Sequence, residues 1–586
     1  MGLIAKAILL AALLLLGWGA PLHAAEPVEV VVEGVEEEAL ANVEAVLALP
    51  YGLVREGTVD RDWLERFAGQ AEAKVRGALE PFGYYNARVR TRLEQPGKGE
   101  YRLVVTVEPG EPVQVTEAEV AVRGPGAGEE PLKELVERFP LHRGDVLLQK
   151  EYEEAKGALK AKALALGYLD ADFARHEIRI SADRTAARIG LVLETGPRYL
   201  FGETTLEGAP QYPERFLRRY LAYRPGEPFS YARLGESQLN FMNSDRFSRV
   251  LLTPEKEEAR ENRVPVTAHL TPSPRRRLRP GVGYGTDTGA RGTLSYRDLN
   301  LFHRGHEFHA ELYLAERLQG IAAGYLIPSY RDLRSSTGLQ LTLQRQDVTT
   351  YTSRLISLEL DRNRSFGPDR LGTAYVKFLQ ESFTVGTQDS SSRLILPGLR
   401  FSERRYDDLV RPTRGHRYGL EVRGTHQVLG SEVGMIQILA NANAIVPLPW
   451  RLSLLTRVNG ALSFLNDPLA ELPASLRFFA GGDRSVRGYS YQSLGPRDAS
   501  GQVVGGRHLF VGSIELERAL FSKWGVSLFY DAGNAFNSLT AIRLYQGAGV
   551  GLHYYTVVGG INLYLARQIG VDNPAFHIHL TIGFEL

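Results

Sequence analysis

The feature that most constrains this chain is a two-residue alternation that fills its second half. In Phe576-His577-Ile578-His579-Leu580-Thr581-Ile582-Gly583-Phe584-Glu585-Leu586, every even position is apolar and every odd one is polar or glycine. The same beat runs through Phe308–Leu314, Leu339–Gln344 and Val526–Asp531. A strand sends successive side chains to opposite faces. About ten such residues therefore carry one face for lipid and one for water over the length a tilted strand needs to cross a bilayer. A soluble sandwich or propeller with one wet face shares the local pattern. Against it stand the length of alternating chain without a domain break and the apolar leader at the start. In lipid, only a closed sheet leaves no unsatisfied edge. Roughly 310 residues, at about 20 per strand and connection, predict an all-β transmembrane barrel of about 16 antiparallel strands over 275–586.

Composition conceals this. The 586 residues are 44% hydrophobic and 23% charged, with no cysteine and a net charge of +1 from 69 basic and 68 acidic residues. A balanced charge supplies no field for nucleic acid, so none is expected as a partner. The lack of Cys excludes disulfides, thiol nucleophiles and Cys-based zinc sites. After the first twenty residues no apolar run approaches about 18 residues, which excludes a helical membrane protein but not a barrel. Residues 1–25 carry Lys6, an apolar stretch from Ala7 to Leu16 and a small-residue end at Ala24-Ala25, the pattern of a secretory signal peptide cleaved after one of those alanines.

Between leader and barrel one phrase occurs three times. Phe82-Gly83-Tyr84-Tyr85 follows a helical stretch from Trp63 to Leu79, and Leu166-Gly167-Tyr168-Leu169 follows another from Glu151 to Leu164. Ser244-Asp245-Arg246-Phe247 follows a third, from Ala232 to Met242. A second phrase keeps the same register, Glu108-Pro109-Gly110 and Glu194-Thr195-Gly196, each between two strand-like runs. Leu132, Leu135, Val136 and Phe139 share one helical face, as do Tyr152, Ala155, Leu159 and Ala163. Each unit thus reads strand, helix, helix, strand, strand. This order and the Gly-Tyr phrase resemble α+β POTRA domains, placed at 26–111, 112–196 and 197–273. The resemblance implies a sheet edge that accepts a strand from a client or partner. Near residue 275 the texture changes. Lysine falls from nine in residues 1–274 to two, Lys377 and Lys523, and helical periodicity stops.

Within the barrel region lies Gly481-Gly482-Asp483-Arg484-Ser485-Val486-Arg487-Gly488-Tyr489. Alternation turns Glu515 and Glu517 of the strand Gly512–Glu517, and Asp531 of the strand Val526–Asp531, toward the lumen. A loop folded inward can set the five-donor fork of Arg487 against these carboxylates and be pinned there. The opposing reading is a solvated surface loop.

With these residues the chain resembles the BamA/TamA superfamily of outer-membrane insertases and transporters, over its whole length after the leader. The loop motif, Pro412-Thr413-Arg414-Gly415 before a strand, Glu515 in Gly-Ser-Ile-Glu and Asp531 in Tyr-Asp-Ala-Gly-Asn carry the likeness. Three repeats point to the TamA branch. The resemblance implies that Val486, Arg487, Gly488 and Tyr489 anchor the lumen loop, with Asp531 and Glu515 as inner-wall partners. It also implies an outer-membrane location with periplasmic POTRA domains. The expected partners are a TamB-like protein anchored in the inner membrane, unfolded client barrels such as autotransporters, and the lipid bilayer itself. A departure is the terminal Leu586, where many outer-membrane strands end in an aromatic; Phe584 is the candidate aromatic.

Closure joins the first barrel strand, near Leu278–Thr286, to the last, Phe576–Leu586. Pro280 cannot donate to a ladder, and Gly281, Gly283 and Gly285 weaken strand packing. With Leu580, Ile582 and Phe584 they make a weak seam, which in the family's mechanism opens sideways to template a client strand. The alternatives are a two-partner-secretion-type transporter or a passive channel. No catalytic constellation, metal site or cofactor is expected. His306-Glu307-Phe308-His309 lacks zinc spacing, and His577 and His579 read as lumen polar residues. The cluster Arg275-Arg276-Arg277-Leu278-Arg279 reads equally as a solvated linker or as a contact for lipid head groups.

Overall fold

The computed structural model describes residues 27–55, 58–408, 412–556 and 559–583. The expected leader 1–25, Phe584 and Leu586 lie outside these. The chain forms two units by its contacts. One runs to Glu203 and takes in Arg224–Arg233 and Glu255–Pro265; the other holds Thr204–Tyr223, Leu234–Pro254 and everything from Val266.

The first unit contains two α+β modules. In the first, a sheet of Val28–Glu33, Glu100–Glu108 and Arg88–Gly97, in that order, backs on helices Glu37–Val46 and Arg61–Leu79. The second helix starts where the Asp60 carboxylate accepts from Trp63 N at 3.0 Å. It buries Leu64, Phe67, Ala71, Val75 and Ala78, the i, i+3, i+4 stripe of a core-facing helix. The second module repeats the plan with strands Gln114–Arg123, Ala186–Glu194 and Asp172–Ile180 and helices Glu130–Glu137 and Gln149–Ala165.

The structure explains why the Gly-Tyr phrase repeats. Gly83 and Gly167 end their helical segments at φ +88° and +97°, in the left-handed region that glycine enters without strain. Each carbonyl then takes a donor from the next piece of chain: Val113 N at 2.9 Å and Tyr199 N at 2.7 Å. A Cβ on Gly167 would lie 2.7 Å from Tyr199 O, so the contact itself requires glycine. The phrase marks the joint where one module hands over to the next.

In the second unit, helix Tyr231–Met242 gives its last turns to the sheet that holds Phe247–Pro254 and Arg263–Pro272. Asp245 takes the joint position at φ +60°, and its carbonyl accepts from Arg277 Nη2 at 3.0 Å. This module packs directly on the barrel. The buried Arg246 guanidinium donates to Leu299 O, Asn300 Nδ2 donates to Gln211 O at 2.9 Å, and a Cβ on Gly305 would strike the Phe216 ring. Arg275 makes a forked pair with the buried Asp298 at 2.8 Å, and Arg276 reaches the same carboxylate at 3.4 Å. Arg275, Arg276 and Arg277 of the basic cluster therefore serve the joint through carboxylate and carbonyl partners, while Arg279 is exposed.

The barrel is closed and has 16 strands, from Arg276–Gly285 to Phe576–Gly583, each antiparallel to its neighbours. Alternation sets its two faces. On the strand Tyr351–Ser365, Ile356, Leu358 and Leu360 are exposed outward while Ser357 and Glu359 are buried inward. Leu339, Leu341 and Leu343 repeat the outward row one strand away. Such a continuous apolar belt far exceeds what a surface in water tolerates and is the mark of a lipid-facing wall. Among the described residues no helix is long and apolar enough to cross a membrane.

Candidate functional site: a lumen loop and a short seam

The connection between strands Leu452–Leu465 and His508–Ala519 is the long one, and it folds back into the barrel. Its first half is held by Arg477, whose guanidinium donates to three carbonyls, Leu472 O and Ala470 O at 2.8 Å and Val504 O at 3.1 Å. Beside it the buried Glu381 on the wall accepts from Ser475 N at 3.2 Å and from the Ser475 hydroxyl. Leu472 and Leu476 pack into an apolar cluster with Leu379, Leu394, Leu396 and Met435 of the wall. Leucines that would be idle in a wet lumen instead seal the loop against one side of it.

The second half carries Arg487. Its side chain is 3% exposed. Nε donates to Asp531 Oδ2 at 2.7 Å, Nη2 to Asp531 Oδ1 at 2.8 Å, Nη1 to Glu515 Oε2 at 2.6 Å and Nη2 to Ser513 Oγ at 3.1 Å. The guanidinium lies 3.5 Å from the Phe529 ring centroid and 4.6 Å from that of Tyr564. The structure thus brings Arg487, Asp531 and Glu515 together. Glu517 faces inward too, but it accepts from Tyr555 Oη at 2.7 Å and takes no bond from Arg487. Val486 and Tyr489 pack with Ala480, Leu494 and Val511. Gly488, at φ +98°, accepts from Gln568 Nε2 at 2.8 Å and donates to His579 Nε2 at 3.0 Å. A Cβ on Gly547 would overlap Arg487 O, so the wall strand is smooth where the loop lies against it.

Two acids at the tip, Asp483 and Asp287, carry no signal in the alternation. Asp483 N donates to Asp287 Oδ2 at 2.7 Å, and the Asp483 carboxylate bonds His579 Nδ1 at 2.5 Å. Gly482 is at φ +109°, and a Cβ there would lie 2.4 Å from Asp287 Oδ2. The Gly481-Gly482-Asp483 run was the available clue, since two left-handed glycines before an acid mark a backbone pressed against another group.

The seam joins the first and last strands. Its described ladder has two pairs, Tyr284↔Ile582 and Gly285↔Thr581, against eight to sixteen at every other barrel junction. Thr286 extends it, donating from N to Leu580 O at 3.0 Å and accepting Leu580 N on Oγ1 at 2.8 Å. Pro280, Gly281 and Gly283 pair with Leu294, Thr293 and Arg291 of the second strand, and the described ladder with the last strand stops short of them, although Gly283 lies against Ile582 O. Pro412-Thr413-Arg414-Gly415 belongs to neither site. It closes a turn on Asp407, which accepts Thr413 N at 2.9 Å and Arg414 N at 3.1 Å.

The Omp85 superfamily domain matches residues 300–585, and the POTRA domain described as TamA domain 1 matches residues 29–109. The outer membrane protein assembly factor BamA of Nitratidesulfovibrio vulgaris is 22% identical over 405 residues, which are 64% of this chain and 50% of that protein. BamA of Neisseria meningitidis serogroup B is 21% identical over 525 residues, 81% of this chain and 64% of that one. The chain therefore spans about half to two-thirds of the length of these curated relatives. The crystal structure of BamA from Haemophilus ducreyi lacking POTRA domains 1–3 shares the fold, with a TM-score of 0.66 at 16% identity over 80% of this chain and 99% of that one. The closed lipid-faced barrel and the POTRA modules before it agree with these matches, and the chain belongs to the Omp85 (BamA/TamA) superfamily of outer-membrane barrels with periplasmic POTRA domains.

Proposed function

We propose that this protein assembles or exports outer-membrane client proteins by opening its seam and pairing a client strand with the freed edge, in the manner of TamA. The described seam carries the proposal. Among the described residues it has two ladder pairs, the fewest of any junction in the wall, so a client strand has least to displace there. The match of residues 29–109 to the first POTRA domain of TamA supports the branch, and with it a TamB-like partner. In the first module, Arg88–Gly97 is an edge strand on which Arg88, Arg90 and Arg92 point outward and are exposed. An extended acidic segment of the partner fits that edge by strand addition and charge.

The seam register chooses the test. Residue 283 faces 583, whereas Gly285 and Thr581 stand opposite each other on the lumen face. The double variant Gly285→Cys/Thr581→Cys, oxidised, should abolish client assembly in vesicles, and reduction should restore it. Full assembly by the oxidised protein overturns the proposal. The passive-channel reading meets the lumen loop, whose two anchors and apolar cluster occupy the bore. Steady single-channel conductance of porin size in the wild type would favour that reading instead.

A further inference from the structure

The tip of the lumen loop touches both sides of the seam. On the last strand, His579 is bonded twice, by Asp483 at Nδ1 and by Gly488 N at Nε2. A backbone N–H can only donate, so Nε2 is the acceptor and Nδ1 carries the proton that is shared with Asp483. Across the seam, in the turn that joins the first two strands, Asp287 accepts Asp483 N. One residue of the loop therefore bridges the two strands that meet with two described ladder pairs. The bridging Asp483 and its partner His579 are shielded, 9% and 2% exposed, and Asp287 is half-buried. Water competes poorly for such bonds.

The two ends are unequal. Toward the last strand the tip is fixed by His579, by Gln568 on the neighbouring strand and, through Arg487, by the buried ion pair with Asp531 and Glu515. Toward the first strand it is fixed at Asp287 by a hydrogen bond from a backbone N–H. We infer that Asp483, His579 and Asp287 are positioning residues that latch the seam, and that the seam parts at Asp287 while the loop stays with the last strand. This rests on the reading that the seam opens in client assembly. It adds that opening is gated from inside the barrel by one loop residue.

Hydrogen exchange of the full-length protein in dimyristoylphosphatidylcholine nanodiscs tests the latch. The Tyr284 and Thr286 amides of Asp287→Ala and His579→Ala should exchange about tenfold or more faster than in the wild type. Asp287→Asn keeps an acceptor oxygen for Asp483 N and should stay within about twofold. Gln340→Ala, a lumen residue remote from the seam, should change nothing, and the Ile356–Leu360 amides should hold their rate in every variant. Wild-type exchange at the seam in both alanine variants, or acceleration of all strands together, overturns the latch. Client assembly is read separately. An unlatched seam with no dependence of assembly on opening would overturn the proposed function and leave the latch standing.

Discussion

Arg487 is the residue whose loss should be felt most, and its surroundings set the size. Arg487→Ala leaves Asp531, fully buried, and Glu515, 7% exposed, facing each other without the cation that neutralises them. Breaking a buried ion pair from one side costs about 3–5 kcal/mol. At about 1.4 kcal/mol per factor of ten, that raises the ratio of detached to seated loop by roughly two to nearly four powers of ten. Arg487→Lys keeps a charge but not the fork that spans both carboxylates, and should cost about 1.5–3 kcal/mol. Arg487→Ala/Asp531→Ala removes both ends of the main contact. Glu515 keeps Ser527 at 2.6 Å and His553 at 3.2 Å, so the double variant should fall short of the sum of the singles by about 1–3 kcal/mol. The chain has no cysteine, so Val486→Cys, buried beside the anchor, is a clean reporter. Its maleimide labelling follows the detached population when the loop reseats quickly. In the Arg487→Ala background labelling should rise about 100-fold or more. A rise of less than about threefold, or full additivity in the cycle, would refute the claim that this ion pair seats the loop.

Three further outcomes follow from the modules. Reversing the edge arginines, Arg88→Glu/Arg90→Glu/Arg92→Glu, should weaken capture of a TamB-like partner about tenfold at low salt and less at high salt, read by surface binding; a salt-independent or absent effect removes the charge argument. Gly167→Ala forces a Cβ into the left-handed region and onto Tyr199 O, and should cost about 1–3 kcal/mol in urea unfolding of the modules. At the same joint Asp170 is held below the usual carboxylate range by the hydrogen bond from Lys256, with Tyr199 Oη at 2.8 Å adding to it. A lowered folded value stabilises above the unfolded carboxylate range and is lost as pH falls through the lowered one. The midpoint difference between wild type and Asp170→Asn should therefore be present at pH 7 and close below about pH 4. The pair is over a third exposed, so the difference should stay under about 1 kcal/mol, and a pH-independent gap would contradict it.

The parts of this architecture that follow a period are legible in the amino-acid sequence. Alternation placed Asp531 and Glu515 inward because parity on a strand is a local property, and Arg487 then had few carboxylates to choose from. Phe529 shows how the same rule signals a contact by failing. In Val526-Ser527-Leu528-Phe529-Tyr530-Asp531 an aromatic occupies an inward position, and the structure uses it as the platform under the guanidinium. The Gly-Tyr phrase revealed the modules because each joint needs a left-handed residue at the same place. What stayed hidden depends on closure. Asp483 meets Asp287 across 196 residues and His579 across 96, and no local pattern couples positions that far apart. Arg477 and Glu381 were hidden for a related reason, since a loop without periodicity carries no parity from which to infer a partner.

The bonds that hold the seam differ in kind from those in the rest of the wall, and that difference bears on how the barrel can work. An ordinary junction here has at least eight ladder pairs. At about 0.5–1.5 kcal/mol net per bond, a ladder of that size represents several kcal/mol that must be given up together, since strands separate as units. The described seam has two pairs and a backbone bond from Thr286 N to Leu580 O, and the rest of its described hold engages side chains: Thr286 Oγ1 on Leu580 N, Arg291 on Ile582 O at 3.1 Å, and Asp483 between Asp287 and His579. Side-chain ties can be exchanged one at a time by rotation about χ angles, each step costing a single bond, while a backbone ladder offers no such sequence. Under the proposed function, such a seam is held shut through the lumen loop and parts where the loop releases Asp287. Strengthening its ladder, for example by residues that extend pairing along Gly281 and Gly283, should leave the fold intact and slow client assembly.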